Sequence, residues 1–123
     1  MGRIYLKRVY EQPALDDGMR VLVERLWPRG ISKEQARIDL WLKEIAPSPE
    51  LRKWYAHDVG RWDEFQRRYR VELQNNPEVA HLQQIIAGGK PVTFVFAARD
   101  AEHSSARLLK DYLKEVGDVN NGV

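Results

Sequence analysis

The densest group of chemically competent side chains follows the most apolar stretch of the sequence. Directly after Val92–Ala98 come Arg99, Asp100, His103 and Ser104. A histidine exchanges protons near neutral pH, and a neighbouring aspartate can orient it. An arginine fork and the free N–H groups of a helix start both attract anions. We therefore predict that Arg99 and Ser104 bind an anionic ligand. His103 would transfer a proton, and Asp100 would orient the reacting group.

This segment also has a purely structural interpretation. Aspartate is a common N-cap, so Asp100 can serve only to begin a helix, with His103 as an ordinary first-turn residue. The sequence leaves both interpretations open.

A second candidate site lies in the loop after Arg20–Leu26. The loop runs through Trp27, Pro28, Arg29 and Gly30 to a capped helix at Ser32. Arg29 is held between a proline and a glycine, which suits presentation of its guanidinium to a carboxylate or phosphate. The alternative is an internal ion pair between Arg29 and an acid such as Asp100.

His57 and the adjacent Asp58 form a third candidate for proton transfer. They come at the predicted end of a helix, where a histidine often has only a structural role. No other ligands lie at a spacing that would complete a metal site around them. We therefore predict no metal site, and the sequence does not indicate a cofactor.

The composition is that of one folded domain. The 123 residues are 43% hydrophobic and 31% charged, which excludes both a disordered chain and a membrane-embedded one. Val92–Ala98 is far shorter than the about 20 apolar residues that span a bilayer. The N-terminus lacks the apolar segment of a signal peptide, so we expect a cytoplasmic protein with no membrane partner. The absence of cysteine excludes disulfides and thiolate catalysis.

The elements that must position these residues alternate between strands and helices. Strands are predicted at Arg3–Val9 and Arg20–Leu26, and Val92–Ala98 is apolar on both faces, which is typical of a central strand in a parallel sheet. Caps and apolar periodicity predict helices at Lys33–Arg37, Ser48–His57, Arg61–Gln74, Asn76–Gly88 and a last helix ending at Gly117. Ile38–Ile45 fits both periods, and we favour a strand because Ala46-Pro47 ends an extended segment naturally.

This order predicts the α/β class: a single three-layer domain with a small, largely parallel sheet flanked by helices. The domain would cover residues 1–117, and residues 118–123 would form a flexible tail.

A basic and aromatic stretch raises the alternative of nucleic-acid binding. Its cations are Arg52, Lys53, Arg61, Arg67, Arg68 and Arg70. Exposed aromatics among cations would suit a single strand. However, Trp62, Phe65 and Tyr69 share one helix face with a core-like period. Asp63 with Arg67 and Glu64 with Arg68 would form i,i+4 pairs, so a structural helix is the favoured interpretation.

The chain resembles the DUF488 family, specifically its YeaO-like branch. The segments that carry the resemblance are RVLVERLWPRGIS, LWLKEIAPS, RWDEFQRRYRVEL and VTFVFAARDAEHSSA, and the match covers Ile4 to Val116. The family is a domain of unknown function, so the resemblance implies no reaction. It implies signature positions at Arg25, Trp27, Pro28, Arg29, His57, Asp58, Trp62, Arg99, Asp100 and His103. Arg25 and Trp27 therefore join the candidate ligand-binding residues. Other branches look as if they carry cysteines near the positions of Ala98 and Ser104, where this chain has none.

Three hypotheses follow. The leading one is a pocket at the carboxyl ends of the strands that binds a small anionic ligand, phosphorylated or a nucleotide, with acid/base chemistry as an extension. The second is a nucleic-acid-binding module that uses the basic helices between Arg52 and Arg70. The third is a non-enzymatic interaction protein, in which internal ion pairs would consume Arg29 and Arg99. The sequence does not determine the ligand or the oligomeric state.

Overall fold

A computed structural model describes residues 3–121 of the chain, and its centre is a parallel sheet. The strands are β1 (Ile4–Arg8), β2 (Met19–Leu22), β3 (Leu40–Trp41) and β4 (Val92–Phe96). They lie in the order β1-β4-β2-β3, and every neighbouring pair is parallel. All residues of β4 are buried. The apolar segment predicted as the central strand therefore lies inside the sheet, as expected.

Helices fill the connections between the strands. They are α1 (Lys33–Ala36), α2 (Pro49–Tyr55), α3 (Trp62–Gln74), α4 (Glu78–Ala87) and α5 (Ser105–Asn121). Short 3-10 turns precede β2, α2, α3 and α5, at Leu15–Asp17, Lys43–Ile45, Val59–Arg61 and Ala101–His103. Ser32 caps α1 in a reciprocal capping box with Gln35, as predicted, and Ser48 caps α2.

Side chains on the two faces of the sheet enter two separate cores, which confirms the α/β class and the helices that flank the sheet. Phe94 and Phe96 of β4 enter the larger core, which α2 to α5 cover. Within it, Phe65, Tyr69 and Leu73 of α3 are each 1% exposed. The opposite face of the sheet packs against α1 and the loops beside it, with core residues Val9, Leu22, Ala36 and Val95 and the partly buried Trp27, Ile31, Ile38 and Trp41.

Several boundaries differ from those the sequence predicts. The second strand ends at Leu22 instead of Leu26. Ile38–Ile45 contains only the two-residue β3 and then a 3-10 turn, so its strand prediction was correct for Leu40 and Trp41 alone. The sequence of this segment fits both the strand and the helix period, and the segment contains a short strand followed by a 3-10 turn.

Two helix ends also differ. The helix predicted to reach His57 ends at Tyr55, because Ala56 and His57 take left-handed backbone conformations with φ of 49° and 58°. The last helix continues past Gly117 to Asn121. A glycine inside a helix costs about 1 kcal/mol and does not by itself end it. Residues 122 and 123 of the predicted tail lie outside the described residues.

A buried polar cluster lies near the amino ends of the strands. The Asp17 carboxylate accepts hydrogen bonds from Lys7 Nζ at 2.8 Å and from Arg20 Nη1 at 2.6 Å. The Arg20 guanidinium also donates to the Ala36 carbonyl of α1. Thr93 of β4 donates to the main-chain carbonyl of Asp17. The cluster therefore ties β1, β2, β4 and α1 together at the end of the sheet away from the predicted site.

Candidate functional site

The connections that leave β2 and β4 run to opposite faces of the sheet. β2 leads to α1 on one face, and β4 leads to α5 on the other. These strands are direct neighbours, so a crevice opens between their carboxyl ends. In open α/β sheets, ligands bind at such a topological switch point.

A cleft of about 900 Å³ occupies this position. Its size lies in the range of small-molecule sites. Residues from the segments after β2 and β4, from α2 and from the start of α5 line it. The polar lining residues are Glu24, Arg52, Lys53, Tyr55, His57, Arg99, Asp100, His103, Ser104 and Ser105. The apolar ones are Leu26, Pro47, Pro49, Phe65, Phe96, Ala97 and Ala98.

Three permanent cations line the cleft. Arg52 and Lys53 come from α2, and Arg99 follows β4. Among the side chains that the structure describes, no carboxylate forms an ion pair with any of them. All three residues are exposed at the surface of the cleft. Their charge is therefore available to a ligand.

Asp100 and His103 form a closely spaced pair at the cleft. The distance from Asp100 Oδ2 to His103 Nδ1 is 2.7 Å, and Asp100 Oδ1 also accepts from the His103 main-chain N–H. The hydrogen bond from the His103 ring holds the pKa of Asp100 below its ordinary value. This contact orients the imidazole and leaves its Nε2 as the nitrogen for proton exchange. Asp100 thus acts both as a cap of the 3-10 turn and as a partner of His103, so the two interpretations of the sequence coexist.

Aromatic side chains hold the His103 segment in place. The Tyr55 hydroxyl donates to the main-chain carbonyl of His103 at 2.8 Å. Burial raises the pKa of Tyr55, and the charges of Asp100 and Asp58 add to this effect. The Trp62 ring meets the His103 ring edge to face, with centroids 5.3 Å apart. The position of the histidine is therefore fixed from α2 and α3 as well as from its own turn.

Glu24 is a cleft residue that the sequence interpretation missed. Its Oε2 accepts a hydrogen bond from the main-chain N–H of Ala97 at 2.9 Å, which links the segments after β2 and β4. Burial raises the pKa of the Glu24 carboxyl, against the opposing effects of that N–H and of the charges on Arg52 and His57. The sequence signal that could have identified Glu24 is an acidic residue two positions after the end of a buried strand.

Two predicted ligand-binding residues of the loop after β2, Arg25 and Trp27, do not line the cleft. The Arg25 guanidinium donates to the carbonyls of Ala46 and Pro47 and pairs with Glu44. The indole of Trp27 donates to the Ile31 carbonyl and packs against Trp41 in the smaller core. Arg25 therefore links the loop after β2 to the segment before α2, and Trp27 stabilises the turn that leads to α1.

Arg29 and Ser104 have different surroundings from those predicted. Arg29 is exposed and does not line the cleft, and Asp100 pairs with His103 instead of with Arg29. The Ser104 hydroxyl lines the cleft, but it donates to the Ala101 carbonyl and accepts from the Arg107 N–H. Its only proton is thus used by the Ala101 carbonyl, and its oxygen caps the start of α5. His57, by contrast, lines the cleft as an exposed side chain.

The remaining cations of the basic stretch are engaged within the protein. Glu64 accepts from both Arg67 and Arg68 at 2.7 to 2.8 Å, which lowers the pKa of Glu64 to about 2. The predicted pair of Asp63 with Arg67 is absent among the described contacts, since Glu64 binds both arginines. The other two pairs join Arg70 to Glu115 and Arg61 to Asp58. The guanidinium groups of Arg61 and Arg68 also lie over the Trp54 ring.

Residues 3–121 contain neither a metal-binding cluster nor a membrane-spanning helix. No group of three or more His, Asp or Glu side chains in that range could hold a metal ion. No helix in the same range has the length and apolar character that a membrane span requires.

Known proteins similar to this chain carry no assigned activity. Residues 3–121 match the sequence model of a family described as "Inactive DUF488-N3 subclade". An uncharacterized protein of Mycobacterium tuberculosis strain H37Rv is 45% identical over 111 residues, which are 90% of this chain and 93% of the relative. The uncharacterized protein YeaO of Escherichia coli K12 is 38% identical over 113 residues, 92% of this chain and 98% of the relative. No solved structure matches significantly.

Proposed function

The chain belongs to the DUF488 family, and we propose that it binds a small anionic ligand, phosphorylated or a nucleotide, in the cleft between the carboxyl ends of β2 and β4. The observation that carries the proposal is that Arg52, Lys53 and Arg99 line one cleft and form no ion pair with any carboxylate that the structure describes. The start of α5 contributes to the same side of the cleft through Ser105, where the helix dipole favours negative charge. A cytoplasmic location is part of this proposal.

The subclade's description as inactive favours binding without turnover. The absence of cysteine agrees with that description, since thiolate chemistry is excluded. Proton transfer is the second candidate, and the 2.7 Å contact between Asp100 and His103 is the observation that favours it. His57 would be the other proton carrier in that case, because it lines the same cleft.

Nucleic-acid binding is less well supported. A groove for a single strand needs free cations and exposed aromatic faces. Arg61, Arg67, Arg68 and Arg70 are all paired with carboxylates, and Phe65 and Tyr69 are buried in the core.

Thermal unfolding in the presence of candidate ligands tests the proposal. The panel contains phosphate, sulfate, sugar phosphates, nucleotides and short oligonucleotides. A ligand at about 100 times its Kd adds about 2.7 kcal/mol, which raises the Tm of a domain of this size by several degrees. We expect a shift with a small anion that Arg52→Ala and Arg99→Ala each reduce.

Arg29→Ala is the matched control, because Arg29 is an exposed arginine that lies outside the cleft. It should leave the shift unchanged. A shift that survives both cleft substitutions would refute the proposed site. Shifts confined to oligonucleotides would support the nucleic-acid alternative. In that case the Kd for the oligonucleotide should rise about tenfold or more between 50 and 200 mM salt.

A further inference from the structure

A carboxylate stands among the cations of the proposed anion site. Glu24 lines the same cleft as Arg52, Lys53 and Arg99. A carboxylate repels an anion, so a site that recognised only a phosphate or a carboxylate would bind it better without this side chain. A hydrogen-bond donor on the ligand would turn this repulsion into an attractive contact.

The hydrogen bonds of Glu24 leave acceptor capacity open. Oε2 accepts from the Ala97 N–H, and Oε1 has no partner among the described residues. An ionised carboxylate offers about four acceptor sites. No described side-chain polar atom is both fully buried and unpartnered, so Oε1 is accessible from the cleft or the solvent. One side of this carboxylate is fixed by the fold, and the other is available.

The cleft also has an apolar part. Pro49 is exposed there and Ala97 and Ala98 are half-buried, whereas Phe65 and Phe96 are buried in the core. Leu26 lines it as well and is 66% exposed, which is a large unburied apolar side chain beside a binding site. Covering such a side chain with an apolar ligand group is favourable. This surface suits a ligand that has an apolar body in addition to its anionic group.

We infer that Glu24 determines the specificity of the cleft, and that the ligand is an anion whose heterocyclic body carries an N–H donor, as an amino-substituted nucleoside monophosphate does. This inference rests on the proposed function. The cations would hold the phosphate, the apolar residues would cover the ring, and Glu24 Oε1 would accept from its N–H.

Matched ligand pairs test this inference by calorimetric titration. Adenosine 5′-monophosphate differs from purine riboside 5′-monophosphate only in an exocyclic amine, and guanosine 5′-monophosphate differs from inosine 5′-monophosphate in the same way. We expect the amino compound of at least one pair to bind about tenfold more tightly, the effect of a hydrogen bond to a charged group. Aminoethyl phosphate against ethyl phosphate measures the response to an alkyl amine, and inorganic phosphate measures the anion alone.

Glu24→Gln should remove the preference within the pair. The glutamine oxygen can still accept from Ala97 N–H, which turns the amide NH₂ group toward the ligand donor. Glu50→Gln is the control, because Glu50 is exposed on α2 and does not line the cleft. It should retain the wild-type ratio. Thermal unfolding of Glu24→Gln verifies that the variant is folded.

The outcomes separate this inference from the proposed function. If phosphates bind but both nucleotide pairs show equal affinities, or if Glu24→Gln keeps their ratio, the role of Glu24 is refuted and the anion site stands. A preference confined to aminoethyl phosphate overturns the assignment of a heterocycle. If none of the phosphate compounds binds at millimolar concentration, the proposed function fails and this inference fails with it.

Discussion

Replacement of Asp17 by asparagine should destabilise the protein without altering the cleft. Asp17 and Arg20 have side chains only 8% and 4% exposed, and the carboxylate also binds Lys7 and the Ala14 N–H. An asparagine side chain keeps one oxygen, so its NH₂ group must face one of the donors. Removing one partner of a buried ion pair costs about 3 to 5 kcal/mol.

The lower end of that range applies here. Arg20 retains the Ala36 carbonyl as an acceptor at 2.7 Å after the substitution. We therefore expect a loss of about 3 kcal/mol, or about 10 °C in Tm for a domain of this length. Urea denaturation at pH 7 measures the free energy of unfolding directly. Glu115→Gln is the control, because it breaks the exposed pair with Arg70 and should cost at most about 1 kcal/mol.

The effect of Asp17→Asn should depend on pH in a defined direction. Burial raises the pKa of Asp17, but the hydrogen bonds from Lys7, Ala14 and Arg20 outweigh it and lower the net value. The folded-state pKa then lies below the unfolded value of about 4. The stabilisation is fully present above that unfolded value and is lost as the pH falls through the folded one. The difference in unfolding free energy between wild type and variant should shrink below about pH 4.

Two results would refute this reasoning. The first is a loss at pH 7 no larger than that of Glu115→Gln. The second is a difference that stays constant down to pH 2. The anion affinity of the folded variant should equal that of the wild type, because the cluster lies at the amino ends of the strands and the cleft at their carboxyl ends.

Two further substitutions test the backbone and the core. Gly18→Ala should destabilise the protein strongly, because the added Cβ would lie 2.0 Å from the Pro91 carbonyl oxygen at a φ of +65°. Gly30→Ala is the control, because Gly30 also has a positive φ but an added Cβ would meet no atom within 4 Å. It should cost only about 1 kcal/mol in the same urea titration. Tyr69→Phe should cost about 1 to 3 kcal/mol, because it leaves the Ile45 carbonyl without its buried donor, whereas Tyr10→Phe removes an exposed hydrogen bond and should change the Tm little.

The sequence predicted elements wherever local chemistry determines structure. The capping box of Ser32 with Gln35 and the apolar stripe of α3 both formed as predicted. It failed where a tertiary contact decides. Nothing local indicates that the helix before His57 ends in two consecutive left-handed residues, or that Glu64 pairs with two arginines and leaves Asp63 out.

The same distinction applies to the cleft. Arg99, Asp100 and His103 were found because they directly follow one buried strand. Glu24 was missed because its importance depends on β4 lying beside β2, and strand order is not a local property of the sequence. Arg29 looked equivalent to Arg99, since both follow strands, but the chain after β2 turns away toward α1 before it reaches Arg29.

The ion pairs also bear on the nucleic-acid hypothesis for the basic stretch. The nucleic-acid hypothesis used all six cations from Arg52 to Arg70, although carboxylate pairs were already expected for Arg67 and Arg68. The four from α3 and the turn before it each form an ion pair, Arg67 and Arg68 with the same carboxylate. Arg52 and Lys53 of α2 have no ion pair among the described side chains and line the cleft with Arg99. Within this stretch, the cations without a carboxylate partner among the described side chains are therefore the two that line the cleft, which favours a small ligand there over a polymer along α3.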